Sequence, residues 1–318
     1  MTAASGRLLP RAGARRTEAQ QSGTGKGSPR SRRDGLAGWL MAGPSVALIG
    51  LFGVVPVIWS FVISFQRNDL QTPPSWVGGA NYAELLHDPV FWSSLGHTAL
   101  YTVLFVPITV VGSLLVAAAL DHRVRGIAFY RLAVFVPVVT STVATGIVFG
   151  WLLDPQVGLV NAALDVLHLP AQGFFTAPHE ALASVVVMTV WGWIGFGTLI
   201  YLAALQSMDD ALLEAAALDG CSRRQAFWRI TVPQLRPVTS FLVVWLTINA
   251  LQLFDEVYVT TKGGPLHATT VLVYYLYQQA FSYFRSGYAT AIAVVLFVLT
   301  VAVTLLQTRL TRSDDGGL

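Results

Sequence analysis

Six long segments without a charged side chain dominate this sequence. They cover residues 35–66, 90–120, 132–153, 181–207, 237–254 and 287–308. A helix needs about 20 apolar residues to cross the hydrocarbon core of a bilayer, with a range of about 17–25. Only helices and closed barrels satisfy their backbone in lipid, and no alternating barrel pattern occurs here. The sequence therefore predicts an all-α integral membrane protein with six transmembrane helices.

Composition agrees with this class of protein. The mean hydropathy is +0.58 and 12% of residues are charged, whereas soluble domains are about a quarter charged. A pI of about 9.1 would favour a nucleic-acid partner in a soluble protein. The basic residues sort to one side of the membrane instead, so no nucleic-acid partner is predicted. The single cysteine, Cys221, forbids an intrachain disulfide, and without a neighbouring base we interpret it as a small filler.

Lysine and arginine alternate between the two sides of the predicted spans. Seventeen of the 20 lie in the N-terminal tail, the second-to-third and fourth-to-fifth loops, and the C-terminus. Cytoplasmic loops are enriched in these residues, so both termini and the loop 207–236 are predicted to be cytoplasmic. Residues 1–34 are predicted to be a disordered basic tail because they lack apolar periodicity. The six-span domain is then 35–310, followed by a second cytoplasmic tail at 311–318.

The stretch Glu214–Pro237 is charged, lies between two apolar segments and carries signals for a folded loop. Ser207 and Asp210 are predicted to cap a first short helix, which runs to about Leu218. Gly220 follows, where a helix end commonly needs a left-handed residue.

A second short helix is predicted after this turn. Ser222 and Gln225 have the spacing of a capping box, and Val232-Pro233 is predicted to end the helix, because proline has no N–H and disfavours a helical predecessor. The first helix should carry one apolar face and the second another. These faces comprise Leu213, Ala216 and Ala217, and then Ala226, Phe227 and Ile230.

The order of residues in this helix-turn-helix is specific. The residues that fit one pattern are Glu214, Ala215, Ala216, Asp219, Gly220, Gln225, Phe227, Ile230, Thr231, Pro233, Leu235 and Pro237. The order resembles the EAA loop of the membrane subunits of binding-protein-dependent ABC importers, with Cys221 in place of an alanine and Val232 of a leucine. The resemblance implies a cytoplasmic loop between spans 4 and 5 that couples to a separate ATPase. Its coupling residues would be Glu214, Ala215, Ala216, Asp219 and Gly220.

Further stretches resemble the sugar-importing branch of that family, of the maltose, glycerol-3-phosphate and multiple-sugar type. They are Phe135-Val136-Pro137, Gly158–Asn161, Trp191-Gly192-Trp193, Phe254-Asp255 with Gly263-Gly264-Pro265, and Thr269-Thr270. The likeness runs from about Leu36 to Leu310. It implies half of a sugar or oligosaccharide pathway in a bacterial plasma membrane, without cofactor or ATPase activity. The implied partners are a second, related permease, two ATP-binding subunits, an extracytoplasmic solute-binding protein and membrane lipid.

Polar residues near the fifth span are candidates for the solute pathway, because polar groups at membrane depth are costly and often functional. Asn249, Gln252 and Glu256 recur at helical spacing on one predicted face, with Asp255 and Tyr258 close by. Amides and carboxylates beside aromatic rings suit a sugar. Asn249 and Gln252 would equally serve as hydrogen bonds between helices. Asp255 and Glu256 are better explained by exposure at the membrane interface.

Two other classes of protein remain as alternatives. An ion-gradient-driven secondary transporter needs ionisable residues inside its spans, and the charge-free segments argue against it. A membrane enzyme needs a nucleophile–base pattern or a metal-ligand cluster, and the sequence has neither. Trp191 and Trp193 in the fourth span are interpreted as packing residues, with stacking on a sugar ring as the alternative.

Overall fold

The computed structural model describes residues 30–69, 71–121 and 126–315. Most of these residues are helical, and one short antiparallel ribbon of two strands occurs among them. The helices are α1 Arg30–Ile49, α2 Val55–Ile63, α3 Ala80–His87, α4 Pro89–Leu120, α5 Ile127–Val139, α6 Thr142–Leu152, α7 Leu159–Val166, α8 Ala181–Gln206, α9 Asp210–Leu218, α10 Arg223–Ala226, α11 Val232–Gln234, α12 Arg236–Leu251, α13 Asp255–Thr260, α14 Leu272–Tyr277 and α15 Ser286–Asp315; the strands are β1 Gln66–Arg67 and β2 Ser75–Trp76. The chain divides into two compact units, 1–56 and 57–318.

The first unit contains α1 and the short π-helix Gly50–Val54 that follows it. None of its described side chains from Trp39 onward is buried. The predicted tail ends earlier than expected, because residues 30–34 already belong to α1. No proline or glycine precedes Gly35 in this stretch to stop the helix. Residues 1–29, the rest of that tail, lie outside the described residues.

Four helical runs in the described residues are long and apolar enough to cross a membrane. They are Trp39–Ile63, Pro89–Leu120, Ala181–Gln206 and Ser286–Thr311. A pair of helices, α5 with α6, would make a fifth span but is bent by 104°. The remaining predicted segment is the shorter apolar helix α12, of 16 residues. Length and composition therefore give four spans, or five if the bent pair is one.

The bend between α5 and α6 corrects the prediction of an unbroken helix at 132–153. Thr140 and Ser141 both have extended backbone, with ψ of 134° and 135°. Pro137 lies inside the last turn of α5, where it can donate no backbone hydrogen bond. The Thr140 hydroxyl donates to the carbonyl oxygen of Val136 at 2.8 Å, which satisfies one carbonyl of the ending helix.

One core joins α4, α8 and α12 in the second unit, and polar contacts fix the register of these helices. The Tyr101 hydroxyl donates to Thr189 Oγ1 at 3.0 Å, and the Ser113 hydroxyl donates to the Ile194 carbonyl oxygen at 2.9 Å. Close approach between α5 and α8 depends on Gly195, since a Cβ there would overlap the Val134 carbonyl oxygen. Gly146 allows similar contact, as its Cβ would lie 2.8 Å from Val259.

A second core joins α3, α4, α14 and α15, and Asp88 lies at its edge. The Asp88 carboxylate caps α4 by accepting from the Val90 N–H at 2.8 Å. It also accepts from the hydroxyls of Tyr275, at 2.5 Å, and Tyr288, at 2.6 Å. Burial raises the pKa of Asp88, but these hydrogen bonds lower it more, so its pKa lies below the ordinary value of 3.8. One carboxylate thus ties three helices together.

The last helix also extends beyond its prediction. Residues 311–315 were expected in a tail but continue α15, which ends at Asp315, just before Gly316 and Gly317. The three C-terminal residues lie outside the described residues.

Candidate functional site

The predicted helix-turn-helix is present between α8 and α12, although its first cap is different. Helix α9 is capped by Asp209, whose Oδ1 accepts from the Ala211 N–H at 3.0 Å. The prediction of Ser207 and Asp210 was therefore wrong. Ser207 ends the preceding helix instead, and its hydroxyl donates to the Ala204 carbonyl oxygen at 2.8 Å. Asp210 is the first residue inside α9, so its own backbone is already helical.

The turn after α9 confirms the prediction for Gly220, which has a φ of +80°. The Cys221 N–H donates to the Ala216 carbonyl oxygen at 2.9 Å, and the Gly220 N–H donates to that of Ala217 at 3.1 Å. These two bonds form a Schellman motif, in which a left-handed residue satisfies the last carbonyls of a helix. The chain direction at the loop is therefore set by Gly220.

The second helix begins as predicted and ends differently. Ser222 and Gln225 form a capping box, with the Ser222 N–H donating to Gln225 Oε1 at 2.9 Å. The helix does not stop at Pro233. The chain continues through a short π-helix at Phe227–Thr231, and Pro233 falls in the first turn of α11. Proline is tolerated in a first turn, where its missing N–H would have no helical partner. The break comes two residues later, at Leu235.

The two sides of α9 differ from the predicted apolar face. Ala216 is 7% exposed and packs inside the chain, while Leu213 and Ala217 are exposed and line an open cavity. The exposed side presents Ala215 and, 90% exposed, Leu218. Glu214, Asp219 and Gly220 are also exposed. A partner would therefore meet four of the five predicted coupling residues, and not Ala216.

The open cavity beside this loop has a volume of about 780 Å³. Its walls are the ends of α4 and α8, at Leu115, Asp121 and Leu205, and the loop residues Glu214 and Arg223 among others. The loop and the ends of these two long helices thus line the same cavity.

The candidate pathway residues do not share one helix, which corrects the predicted face. Helix α12 ends at Leu251, and α13 begins at Asp255. Between them Gln252 has φ and ψ of −101° and 15°, and Phe254 has −143° and −59°. No proline or glycine marks this break. The helical spacing of polar residues in the sequence therefore continues across it and predicted one unbroken face.

Each candidate pathway residue has its own environment. Asn249 is half-buried, and its Nδ2 donates to the Trp245 carbonyl oxygen at 2.8 Å, within its own helix. Gln252, Asp255 and Tyr258 are exposed. Only Glu256, which the sequence placed at a membrane interface, lines a cavity.

This second cavity holds about 280 Å³ between α5, α6, α8, α12 and α13. Glu256 is joined there by two indole rings and by hydroxyl groups. They belong to Trp193, Trp245, Thr140, Thr142, Thr145 and Thr189. Trp193 is thus a cavity residue as well as a packing residue, whereas Trp191 lies outside it and packs on Phe149, with ring centroids 5.5 Å apart. The cavity offers a carboxylate, apolar ring faces and the hydroxyls of Thr142 and Thr145, whereas those of Thr140 and Thr189 already donate to carbonyl oxygens of their own helices.

Sequence reasoning missed the threonines and Trp245. They come from helices far apart in the chain, and a lone hydroxyl in an apolar helix often only donates to its own helix. No group of three metal-ligating side chains occurs within the described ranges.

Comparison with known proteins matches residues 80–313 to the family described as "Binding-protein-dependent transport system inner membrane component". The chain belongs to this family. It is therefore a multi-pass membrane subunit of an ABC importer, and ATP hydrolysis takes place in separate subunits. This excludes the secondary transporter considered from the sequence.

Curated relatives cover most of the permease. The probable ABC transporter permease protein YesP of Bacillus subtilis is 35% identical over 88% of this chain and 92% of its own length. The lactose transport system permease protein LacF of Rhizobium radiobacter is 35% identical over 85% of this chain and 92% of its own length. The trehalose/maltose transport system permease protein MalF of Thermococcus litoralis is 31% identical over 88% of this chain and 95% of its own length.

Among solved structures, the permease fold is shared with a bacterial alginate ABC transporter in complex with an alginate pentasaccharide-bound periplasmic protein. The TM-score is 0.79 at 23% identity, over 90% of this chain and 96% of that one. This likeness concerns the fold.

Proposed function

We propose that this permease has six spans and forms half of the pathway for a sugar or oligosaccharide, and that its loop 207–236 couples the pathway to an ATPase. The cavity with Glu256, Trp193 and Trp245 carries the proposal for the solute. Ring faces and hydroxyl groups together match the two chemical characters of a sugar. Relatives named for lactose and for trehalose and maltose support the same class of solute. The further partners would be a second, related permease and a solute-binding protein outside the cell.

The exposed side of α9 supports the proposal for the loop. Leu218 is a large apolar side chain with 90% of its surface exposed, next to Ala215 on the same side. Small and apolar residues along one side of a helix suit a groove on a partner protein. Glu214 would add a charge-assisted hydrogen bond to a basic group there. The ATPase subunit is the partner we infer.

Transport of a sugar panel tests the proposed solute. The complete importer, assembled with its co-encoded subunits in proteoliposomes, would be supplied with lactose, maltose, trehalose and maltotriose, and with leucine and histidine as controls. We expect ATP-dependent uptake of at least one saccharide and of neither amino acid. Uptake of an amino acid alone would contradict the proposal.

Cysteine labelling tests the proposed orientation, which rests on the sorting of Lys and Arg. Ser75, Ala171 and Gln234 are exposed positions suited to single cysteines in a Cys221→Ala background. We expect a membrane-impermeant maleimide to label Ser75→Cys and Ala171→Cys in intact cells. Gln234→Cys should be labelled only after the cells are permeabilised. Labelling of Gln234→Cys in intact cells would reverse the orientation.

The amides beside the break test the pathway. Asn249→Ala and Gln252→Ala each remove a group able to hydrogen-bond solute, worth about 0.5–1.5 kcal/mol. We expect uptake to fall about two- to tenfold, while ATPase activity stimulated by the loaded binding protein persists at least in part. Gln71→Ala, an exposed amide in the loop between the first two spans, is the matched control. Wild-type uptake by both variants would show that these amides only pack.

A further inference from the structure

A cluster of aromatic rings connects the break after α12 with the segment that follows α14. The rings belong to Phe254, Tyr258, Tyr277 and Phe281, and we refer to them as the aromatic track. Phe254 lies 5.3 Å from Tyr258 and 5.1 Å from Tyr277 between ring centroids. Tyr258 lies 5.4 Å from Tyr277, which lies 5.2 Å from Phe281. Each step is within the 4.5–7 Å range of interacting aromatic pairs.

The rings of the aromatic track differ in exposure, and Phe281 is the most exposed of them. Tyr274 packs against the track, with its ring centroid 6.3 Å from that of Phe254, and is only 6% exposed. Tyr258 is 42% exposed and Phe281 is 66% exposed. The track therefore begins against the packed core and ends in open surroundings.

The polar groups beside the aromatic track distinguish it from a lipid-facing surface. Asp255 lies one helical turn before Tyr258 on α13 and is exposed, as is Gln252 at the break. An exposed carboxylate and amide are costly against hydrocarbon. The exposed side of α15 has the opposite character, with Phe297, Val298, Val301 and Leu305 in succession.

We propose that the aromatic track binds the ring faces of successive sugar units and guides an oligosaccharide toward Gln252 and the cavity. This inference rests on the proposed transport of a saccharide. A sugar ring has one face made largely of C–H groups, which an aromatic ring contacts favourably, and an edge of hydroxyls, which Asp255, Gln252 and the tyrosine hydroxyls can bind. Phe281 contacts Tyr277 but neither Phe254 nor Tyr258, so it extends the track to a further sugar unit and would serve long solutes more than short ones.

Solute length is the measurement that tests the aromatic track. Phe281 contacts only Tyr277 among the described rings, so Phe281→Leu removes the outermost ring with little loss of packing. Tyr283→Leu is the matched control, because Tyr283 is 60% exposed two residues away and has no ring neighbour in the described part of the chain. Phe281→Trp restores an aromatic face. Uptake of maltose and maltotriose, or of the shortest and longest saccharides that the wild-type importer moves, would be compared in proteoliposomes.

We expect Phe281→Leu to lower uptake of the longer saccharide about three- to tenfold and that of the shorter one much less. Phe281→Trp and Tyr283→Leu should behave as wild type. Equal uptake of both saccharides by wild type and Phe281→Leu would overturn the track and leave the proposed function standing. An equal loss of uptake in Phe281→Leu and Tyr283→Leu would overturn the track and assign these rings to membrane anchoring. If Phe281→Leu no longer co-purified with the second permease, the track would likewise be overturned and Phe281 would be a subunit contact. If the wild-type importer moves no saccharide, the proposed function fails and the track fails with it.

Discussion

Replacing Gly220 with valine is expected to reduce transport at least tenfold and to release the ATPase from the permease. Gly220 has a φ of +80°, and a Cβ there would meet nothing within 4 Å. The damage would therefore come from the backbone alone, because a left-handed conformation costs an L-residue about 1–2 kcal/mol and a β-branched one more. The Schellman motif that sets the direction of the loop would be lost with it.

Graded substitutions at Gly220 separate this cause from simple bulk. Asparagine tolerates the left-handed region, so Gly220→Asn should keep most of the uptake and the ATPase. Gly150→Val is a control in α6, since Gly150 also has open space within 4 Å but no positive φ. Co-purification of the ATPase and uptake would be measured for each variant. Equal behaviour of Gly220→Val and Gly220→Asn would exclude the backbone explanation.

Charge reversal on the same helix gives an independent reading of the coupling surface. Glu214→Lys should also release the ATPase, whereas Glu214→Gln, which keeps a hydrogen-bonding group, should retain part of the coupling. If Gly220→Val and Glu214→Lys both transport at the wild-type rate, this loop does not couple the pathway to ATP hydrolysis.

Loss of the Asp88 carboxylate is expected to lower the stability of the permease by several kcal/mol. Asp88→Leu removes a helix cap worth about 1 kcal/mol. It also leaves the hydroxyls of Tyr275 and Tyr288, which are 6% and 2% exposed as residues, without their acceptor. Each buried unpartnered hydroxyl costs about 1–3 kcal/mol. The thermal unfolding midpoint of the purified complex should fall by several degrees.

Two further variants test this explanation. Asp88→Asn keeps a good capping residue and one acceptor oxygen, so it should lose less. Adding Tyr275→Phe and Tyr288→Phe to Asp88→Leu removes the unpartnered hydroxyls and should restore part of the loss. Since the folded pKa of Asp88 is depressed, its contribution persists at neutral pH and disappears only as the pH falls through that value. An unchanged midpoint in Asp88→Leu would show that the contacts carry no net stability.

The sequence predicted those parts of the fold whose signals are local. A charge-free run indicates a membrane helix, and Ser222 with Gln225 indicates a helix start, because each pattern acts within a few residues. The left-handed turn at Gly220 was predictable for the same reason. The breaks were harder. Gln252 and Phe254 interrupt α12 without proline or glycine, so only their tertiary surroundings distinguish this site from a continuing helix.

Contacts between distant parts of the chain could not be predicted. The tyrosines that donate to Asp88 lie 187 and 200 residues away from it. Thr189 and Glu256 likewise meet at one cavity from separate helices. No single position among them carries a pattern that identifies its partners. The burial of Ala216 shows the same limit, because spacing predicted a face for α9 but not which side the rest of the chain covers.

The contacts of Asp88 also determine how α4 can move. This helix has 32 residues, which corresponds to about 48 Å at 1.5 Å per residue. One end is held at Asp88, while the other, at Asp121, borders the cavity beside the loop. Because Tyr101 and Ser113 also bind α4 to α8, a push at the loop would pivot the two helices together rather than slide α4 along its axis. A shift of a few ångströms imposed on the loop would thus tilt α4 by only a few degrees, with displacement greatest beside the loop and nearly zero at Asp88.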